Sequence, residues 1–486
     1  MSVESELRKA STLEKRGQEA EAIKLYSSLL ERFPNNKRAA DAVMRVRTKS
    51  ILSATKTGTL TPEHLKPLIG LCETGHLREA EFAFGRLIKA FPKHAPLLNI
   101  GGVIYSRLQA FGNAVDCFRR SLTLQPDVAS THSNLGNALL ESGDVESAEK
   151  AFERALEIAP RDVFALSNLG RLLAAEGRFD DAEEKFRLSL SIAPENIEII
   201  LNFGNLLIDI ERLQDAVSML SDVLKRHPEE WRVHKSLAVA LVRSQENDAA
   251  LAHYRTALEL NPGVPEIEHM IDALSGEQRP RASATYVETL FDGFAKNFDE
   301  NLTGKLGYRL PEETAQLLRE TLASGRVRNL LDLGCGTGLL AAHVRDFTDV
   351  LVGVDLSAKM LGRAAHTGNY DELVKADVHD FLRSGNTCFD VMVALDVLIY
   401  VGETDSLLKA AAARCDPAAL IILSTETFEG EGFTLLPSGR YAHADSYVDT
   451  CAMRHGFEIK QRQQTIIRTE QGQPVAGSLH VLVKSR

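Results

Sequence analysis

The amino-acid sequence predicts an α-solenoid followed by an open α/β domain built on a mostly parallel sheet. The first observation is a row of prolines: Pro92, Pro126, Pro160, Pro194, Pro228 and Pro262 recur every 34 residues. Twelve residues before each stands an alanine (Ala80, Ala114, Ala148, Ala182, Ala216, Ala250), and eight before each an aromatic or leucine (Phe84, Phe118, Phe152, Phe186, Leu220, Tyr254). A period of that length marks supersecondary units stacked on one another. The second observation is that the period stops near residue 275. Short apolar runs replace it, and three of them end at an acid: 350–354 at Asp355, 373–376 at Asp377 and 389–395 at Asp396. Such runs alternating with helical stretches mean a parallel sheet with helices on both faces and ligands outside the carboxyl ends of the strands. Domains of 1–275 and 276–486 follow, joined by the Gly- and Pro-containing stretch 275–280.

In the repeat half, 129–142 and 145–158 read as the two helices of one unit. Gly143 and Asp144 form the turn between them, and Asp144 caps the second helix because a short carboxylate accepts from free N–H groups there. Proline closes each unit, since it cannot continue a helix. Gly102, Gly136, Gly170 and Gly204 let helix backbones approach. Seven units fit the pattern, the first marked by Ala22, Tyr26 and Pro34, with an insertion near 35–58 and a capping helix at 264–274. The insertion is basic (Lys37, Arg38, Arg45, Arg47, Lys49 and Lys56 against Asp41). It reads either as a solvated helix face or as a patch for an acidic partner.

Bulk properties narrow the field. The 486 residues are 44% hydrophobic and 25% charged, as in an ordinary globular protein, and the net charge of −11 argues against general affinity for nucleic acid or anionic lipid. Six cysteines without a C-x-x-C pair argue against a disulfide framework or zinc site. No apolar run approaches the ~20 residues a bilayer needs, and the first residues are charged, so a cytoplasmic protein with no membrane contact is expected.

The columns L-G-x-x-hydrophobic, A-x-x-x-F and P resemble the tetratricopeptide repeat over about 260 residues. That resemblance implies a protein or peptide partner in the concave groove lined by first helices. Asn134, Asn168 and Asn202 share one position of those helices. Asparagine donates and accepts, so such a column either clamps a peptide backbone or only satisfies local groups. The fragment 134–137 resembles the repeats of O-linked N-acetylglucosamine transferase, where such a ladder binds protein substrates.

In the second half, the turn Gly334-Cys335-Gly336-Thr337-Gly338 departs from a dinucleotide fingerprint, because its third glycine comes one residue early. Asp332, two residues before the first glycine, suits a cationic amino group better than a pyrophosphate. Asp355 can accept from both hydroxyls of a ribose, and Asp377, flanked by Ala376 and Val378, from an adenine amino group. With LDLGCGTG, GVDLSAKM, KADV and FDVMVALDVLIYVG, residues 325–425 resemble a class I S-adenosylmethionine-dependent methyltransferase of Rossmann-like fold. The resemblance implies that Asp332 and Gly334 meet the methionine part and that Gly336 and Gly338 give close backbone approach. Asp355 then holds the ribose, Met360 flanks the adenine, and Leu395 lies beside the sulfonium. Cys335 and Leu356 complete the cofactor set.

Phe291, Asp292, Phe294, Phe298 and the stretch 306–311 resemble bacterial repeat-containing methyltransferases related to trans-aconitate methyltransferase. This implies a helical cap at 283–322, with Phe294, Phe298, Tyr308 and Arg309 bordering the acceptor pocket; core packing is the alternative for the two phenylalanines. Methyl transfer needs alignment and exclusion of water, and a base only where the nucleophile arrives protonated. Candidates near strand ends are Asp396, Glu426 and His443, although His443 reads equally as the cap of a helix starting near Asp445. Arg440 can pair an acceptor carboxylate or phosphate, with Tyr441 beside it. Three readings stand: methylation of an acceptor recruited by the repeats, either a protein or a molecule on its carrier protein; methylation of a small acid or other metabolite, with the repeats as an assembly module; or a cofactor-binding scaffold.

Overall fold

The computed structural model describes residues 3–485 except 35, 53, 296–297, 300–301, 303, 305–306, 323–324 and 471–472. Two compact units form, Met1–Glu211 and Arg212–Arg486. No helix among the described residues is long and apolar enough to cross a membrane.

The first unit is helical throughout, from Val3–Lys15 to Ile197–Asp209. Ala129–Ser142 and Val145–Ile158 form one repeat, as the pattern predicts. Gly143 turns the chain at a φ of 92°, and the Asp144 carboxylate accepts from the Ser147 N–H at 3.2 Å. The glycine column has a different job from the one its spacing suggests. A Cβ on Gly136 would lie 2.6 Å from the Phe152 ring, and one on Gly170 would lie 3.1 Å from Phe186. Each glycine is the seat for the aromatic ring of its own repeat's second helix, so the glycine and aromatic columns form one contact. Asn134, Asn168 and Asn202 are partly buried on successive first helices, and Asn202 donates to Ser167 Oγ at 3.4 Å.

The segment near 35–58 contains the helix Lys37–Leu52 and the short helix Ala54–Thr57. Four of its cations pair with acids of other helices: Arg38 with Glu4 (2.8 Å), Arg45 with Glu14 (2.8 Å), Arg47 with Glu79 (2.6 Å) and Lys49 with Glu19 (2.7 Å), and all but Arg47 remain exposed. These pairs fit the reading of the stretch as a solvated helix face.

The second unit begins with further helix pairs and the capping helix Pro265–Ser275. Its sheet has strands β1 (Val327–Leu333), β2 (Thr348–Asp355), β3 (Glu372–Lys375), β4 (Phe389–Ala394), β5 (Cys415–Thr427), β6 (Phe433–Leu435), β7 (Tyr441–His443), β8 (Phe457–Glu470) and β9 (Gln473–Lys484). The order β3-β2-β1-β4-β5 is parallel, and β9 joins β5 antiparallel with β8 outside it. β8 and β9 form an antiparallel hairpin. The short pair β6–β7, too brief to show a period, extends the end of β5. Successive strands run outward from β1 in one direction and then resume from β4 on its other side, which puts the crevice at the carboxyl ends of β1 and β4. Apolar side chains fill both faces, Leu331, Val354 and Met392 on one and Leu330, Leu351 and Val391 on the other.

Ring-on-glycine packing makes a signed prediction. Gly136→Ala should lower stability by about 1–3 kcal/mol through overpacking against Phe152. Gly85→Ala, mid-helix with open space around it, should leave stability unchanged or raise it by up to about 1 kcal/mol. Urea denaturation of the two variants checks both signs.

Candidate active site

At the β1–β4 crevice lies a cavity of about 320 Å³, walled by the glycine turn, the strand-end acids and the helix Ala284–Phe294. Asp332, Gly334, Cys335, Gly336, Asp355, Leu356, Asp377, Val378 and Leu395 of the expected cofactor set line it. Asp332 ends β1 almost fully buried, and burial pushes its carboxyl up to about 7 although Tyr370 Oη donates to it at 2.7 Å. Asp355 ends β2. Its two oxygens accept from the N–H groups of Gly336 (2.9 Å) and Ser357 (2.8 Å), while burial raises its pKa. Asp377 caps the helix Val378–Ser384 and pairs with Arg281 at 2.9 Å.

Three expected members stand outside this wall. Met360 is fully buried behind it, on the core side of the helix Ala358–Thr367. Ala376 packs into the core under the sheet. Gly338, at a φ of 93°, faces the Tyr370 ring and Ala364 rather than the cavity. The side of a strand or turn on which a motif residue falls is set by packing, which the motif alone does not report.

The same cavity is lined by Phe294, Phe298, Tyr308, Asp396 and Arg440 from the expected acceptor and catalytic sets. Arg309 is exposed and Tyr441 is packed beneath Phe433, so neither lines it. His443 is fully buried. Its Nε2–H donates to the carbonyls of Val401 (2.9 Å) and Gly402 (3.0 Å), which leaves a neutral ring whose pKa burial lowers to about 4. The following helix is capped at Ala444 without help from the His443 side chain. Glu426 lies behind the wall, ion-paired to Arg468.

Arg468, on β8, is the residue that sequence reading missed. It is 2% exposed, lines the cavity, and pairs with Glu426, Glu470 (2.6 Å) and Asp396 (3.5 Å). Arg440 pairs with Glu470 as well, so its charge is matched within the protein and is not held free for an acceptor carboxylate. Asp396 sits at a φ of 55°, a left-handed conformation unusual for a non-glycine residue and a form of strain associated with functional sites. Its N–H is held by Ser424 Oγ at 2.9 Å, and burial raises its carboxyl to about 6.

The lid is pinned to the same loops. Asp292 accepts from Ser357 Oγ, Asp299 from Thr337 Oγ1, and Glu288 pairs with Lys375 at 2.7 Å. Phe291 stands edge-on to Phe298 and Tyr400, at 6.0 and 5.5 Å. The capping helix also reaches this region. His269 Nε2–H donates to the Gly439 carbonyl at 2.7 Å, and its ring stacks on Tyr286 of the lid at 4.3 Å.

The sheet order, the G-x-G-x-G turn and the acids at successive strand ends define a class I methyltransferase domain. In agreement, a methyltransferase-domain family model matches residues 302–458, and tetratricopeptide-repeat models match 4–36, 95–161, 127–195 and 201–265. The chain is thus a tetratricopeptide-repeat array joined to a class I S-adenosylmethionine-dependent methyltransferase domain. It is similar to the ubiquinone biosynthesis O-methyltransferase of Bordetella pertussis, 26% identical over 162 residues, which cover 29% of this chain and 66% of that protein. It is also similar to the chloroplastic magnesium protoporphyrin IX methyltransferase of Arabidopsis thaliana, 25% identical over 288 residues, which cover 51% and 92%. The chain spans no more than about two thirds of the length of the ubiquinone O-methyltransferases it matches. The crystal structure of magnesium protoporphyrin IX methyltransferase from Synechocystis PCC 6803 with bound SAH aligns over 42% of this chain and 99% of that one, at 19% identity and a TM-score of 0.33.

Arg468 anchors three carboxylates in a buried setting. Arg468→Met should cost about 3–5 kcal/mol, because it leaves those charges uncompensated. The double variant with Glu426→Gln should recover part of the loss. Urea denaturation at neutral pH measures both.

Proposed function

We propose that this chain transfers the methyl group of S-adenosylmethionine to an uncharged or cationic hydroxyl or amine acceptor, brought to the cavity by a protein partner of the repeats. The observation that carries the cofactor part is the convergence of Asp332, Asp355 and Asp377 with Leu356, Val378 and Leu395 around one glycine turn. The donor set suits the molecule: a buried carboxylate for an ammonium, another for a ribose diol, a third for an exocyclic amine, with apolar side chains for the ring. Gly336 fits as well, since a Cβ there would enter the cavity below the Phe298 ring. When bound, S-adenosylmethionine supplies an electrophilic methyl on a sulfonium.

The protein's own residues do the rest. Phe291, Phe294, Phe298 and Tyr400 give the cavity an aromatic lining, which the proposed transfer uses to limit water around the sulfonium. Asp396 is the one of the three candidate bases that lines it, and with a pKa of about 6 it is ionised at neutral pH and able to take a proton from the acceptor. The charge balance argues for the acceptor class. Asp396, Glu426 and Glu470 face only Arg468 and Arg440, so the group carries an excess negative charge that disfavours a carboxylate. The reading of the repeats as a delivery module, with 1–275 acting on behalf of 276–486, is supported by His269 and Tyr286, through which the capping helix joins the wall bearing Arg440. Asn134 and Asn168 are proposed to hold a peptide backbone, with Asn202 partly committed to Ser167.

Two measurements test this reading. Asp355→Ala should weaken S-adenosylmethionine binding by roughly 30-fold or more, for a lost buried charged hydrogen-bond pair; unchanged affinity by calorimetry refutes the assignment. Methyl-labelled S-adenosylmethionine added to a native lysate with the purified chain should label a discrete protein, or a small molecule bound to one, and Asp355→Ala should abolish the label. With the acceptor so identified, the rate should be half-maximal near pH 6 and rise above it, because Asp396 acts as its carboxylate. Asp396→Asn should flatten that profile and slow turnover by about 10²–10⁴-fold.

A further inference from the structure

The third glycine of the turn does not touch the cavity, yet its place in the fold has a consequence for Asp332. Gly338 and Gly353 face the same ring from two directions. A Cβ on Gly338 would lie 3.0 Å from Tyr370 Cε2, and one on Gly353 would lie 2.8 Å from Tyr370 Cε1. Both glycines leave a slot for a ring that enters between the turn and β2 and ends with its hydroxyl on Asp332 Oδ2 at 2.7 Å. The residues on either side of Tyr370 are clamped. Arg345 donates to the Asn369 carbonyl at 3.1 Å and to the Asp371 carboxylate at 2.6 Å, and Asp371 accepts from the Leu351 N–H at 2.7 Å while donating its own N–H to the Leu351 carbonyl at 3.0 Å. Arg345 also holds the carbonyls of Thr348 and Asp349. The backbone carrying Tyr370 is thus fixed to β2 before the hydroxyl is placed.

We propose that Tyr370 is a positioning residue for cofactor capture: it orients the Asp332 carboxylate and keeps it in the charged form that receives the ammonium end of S-adenosylmethionine. This rests on the cofactor reading above. The proposal has a physical motive. Asp332 is almost fully buried, and burial favours its neutral form. An O–H donor opposes that, because it binds the carboxylate more strongly than the acid. The other groups facing Asp332 do not help. Asp355 is a like charge, the Cys335 thiol has its pKa raised by burial, and Tyr308 is a neutral phenol held so by burial. Among the groups that set its charge, Tyr370 is the one that favours the anion.

The test is calorimetric titration of the full chain with S-adenosylmethionine from pH 5.5 to 8.5, for the native protein, Tyr370→Phe and Arg345→Ala. Native affinity should fall below about pH 7 as Asp332 takes up a proton. Tyr370→Phe keeps the ring in its slot and removes only the donor. It should weaken binding about tenfold at pH 8 and move the midpoint of the fall to higher pH. Arg345→Ala, remote from the cavity, should move the midpoint the same way by less. A Tyr370→Phe profile that overlays the native one within twofold overturns the proposal, because a merely structural role for the ring predicts that overlay. Absence of native binding overturns the cofactor reading itself, and the two failures are distinct.

Discussion

The site depends on burying carboxylates where a parallel sheet ends. β1, β2, β3 and β4 each deliver one acid at or just beyond the carboxyl end: Asp332, Asp355, Asp377 and Asp396. Four negative groups around one small, largely apolar space would be intolerable if left alone. Each has a partner of a different kind. Asp332 has a phenol, Asp355 has two backbone N–H groups, Asp377 has a helix N-terminus and an arginine, and Asp396 has a buried guanidinium. The partners leave four chemically identical side chains in different surroundings and with different remaining hydrogen-bonding capacity. On the proposed function, that separation suits one row of acids to several parts of a single ligand.

The same loops hold the lid. Ser357 and Thr337, which follow the β2 acid and sit in the glycine turn, donate to Asp292 and Asp299, and Lys375 at the end of β3 pairs with Glu288. Turn and lid therefore share hydrogen bonds, and a ligand that reorders one affects the other. Arg281 extends this link: it pairs with Asp377 and forms a backbone bridge to Val401, and all three line the cavity.

Much of this was legible in the sequence, for identifiable reasons. The repeat showed itself because one packing solution, a ring on a glycine, is used again at Phe118, Phe152 and Phe186. The strand-end acids showed because a parallel strand is a short apolar run with an abrupt polar end. What did not show was pairing across sequence distance. Arg468 is 72 residues from Asp396 and 42 from Glu426, and it lies in a strand whose outer part is polar, so nothing local marks it as buried. The same blindness gave Arg440 a free charge that Glu470 in fact matches, and gave His443 a catalytic part when two backbone carbonyls already take its proton. Gly338 and Met360 sit in the expected motif but face away from the cavity, because a motif fixes residue type and order while the surrounding packing fixes direction.

The group around Asp396 shows why an arginine cluster is tolerated inside the fold at all. A buried ion network is weak evidence for stability, since desolvation offsets much of the attraction. Apolar replacements of the whole network, acids and arginines together, can be neutral or stabilising. What they would not do is tune Asp396. Burial alone drives that carboxyl upward, Glu426 and Glu470 push it further, and Arg468 and Arg440 draw it back, the result lying near 6. Without the arginines the carboxyl would lie higher, since both draw it down. Without the two glutamates it would sit nearer the ordinary carboxylate range and be a weaker base. Two cations against three acids is a composition that holds one carboxyl near neutrality, as the proposed role of Asp396 requires, at the end of the strand beside the one that carries Asp332.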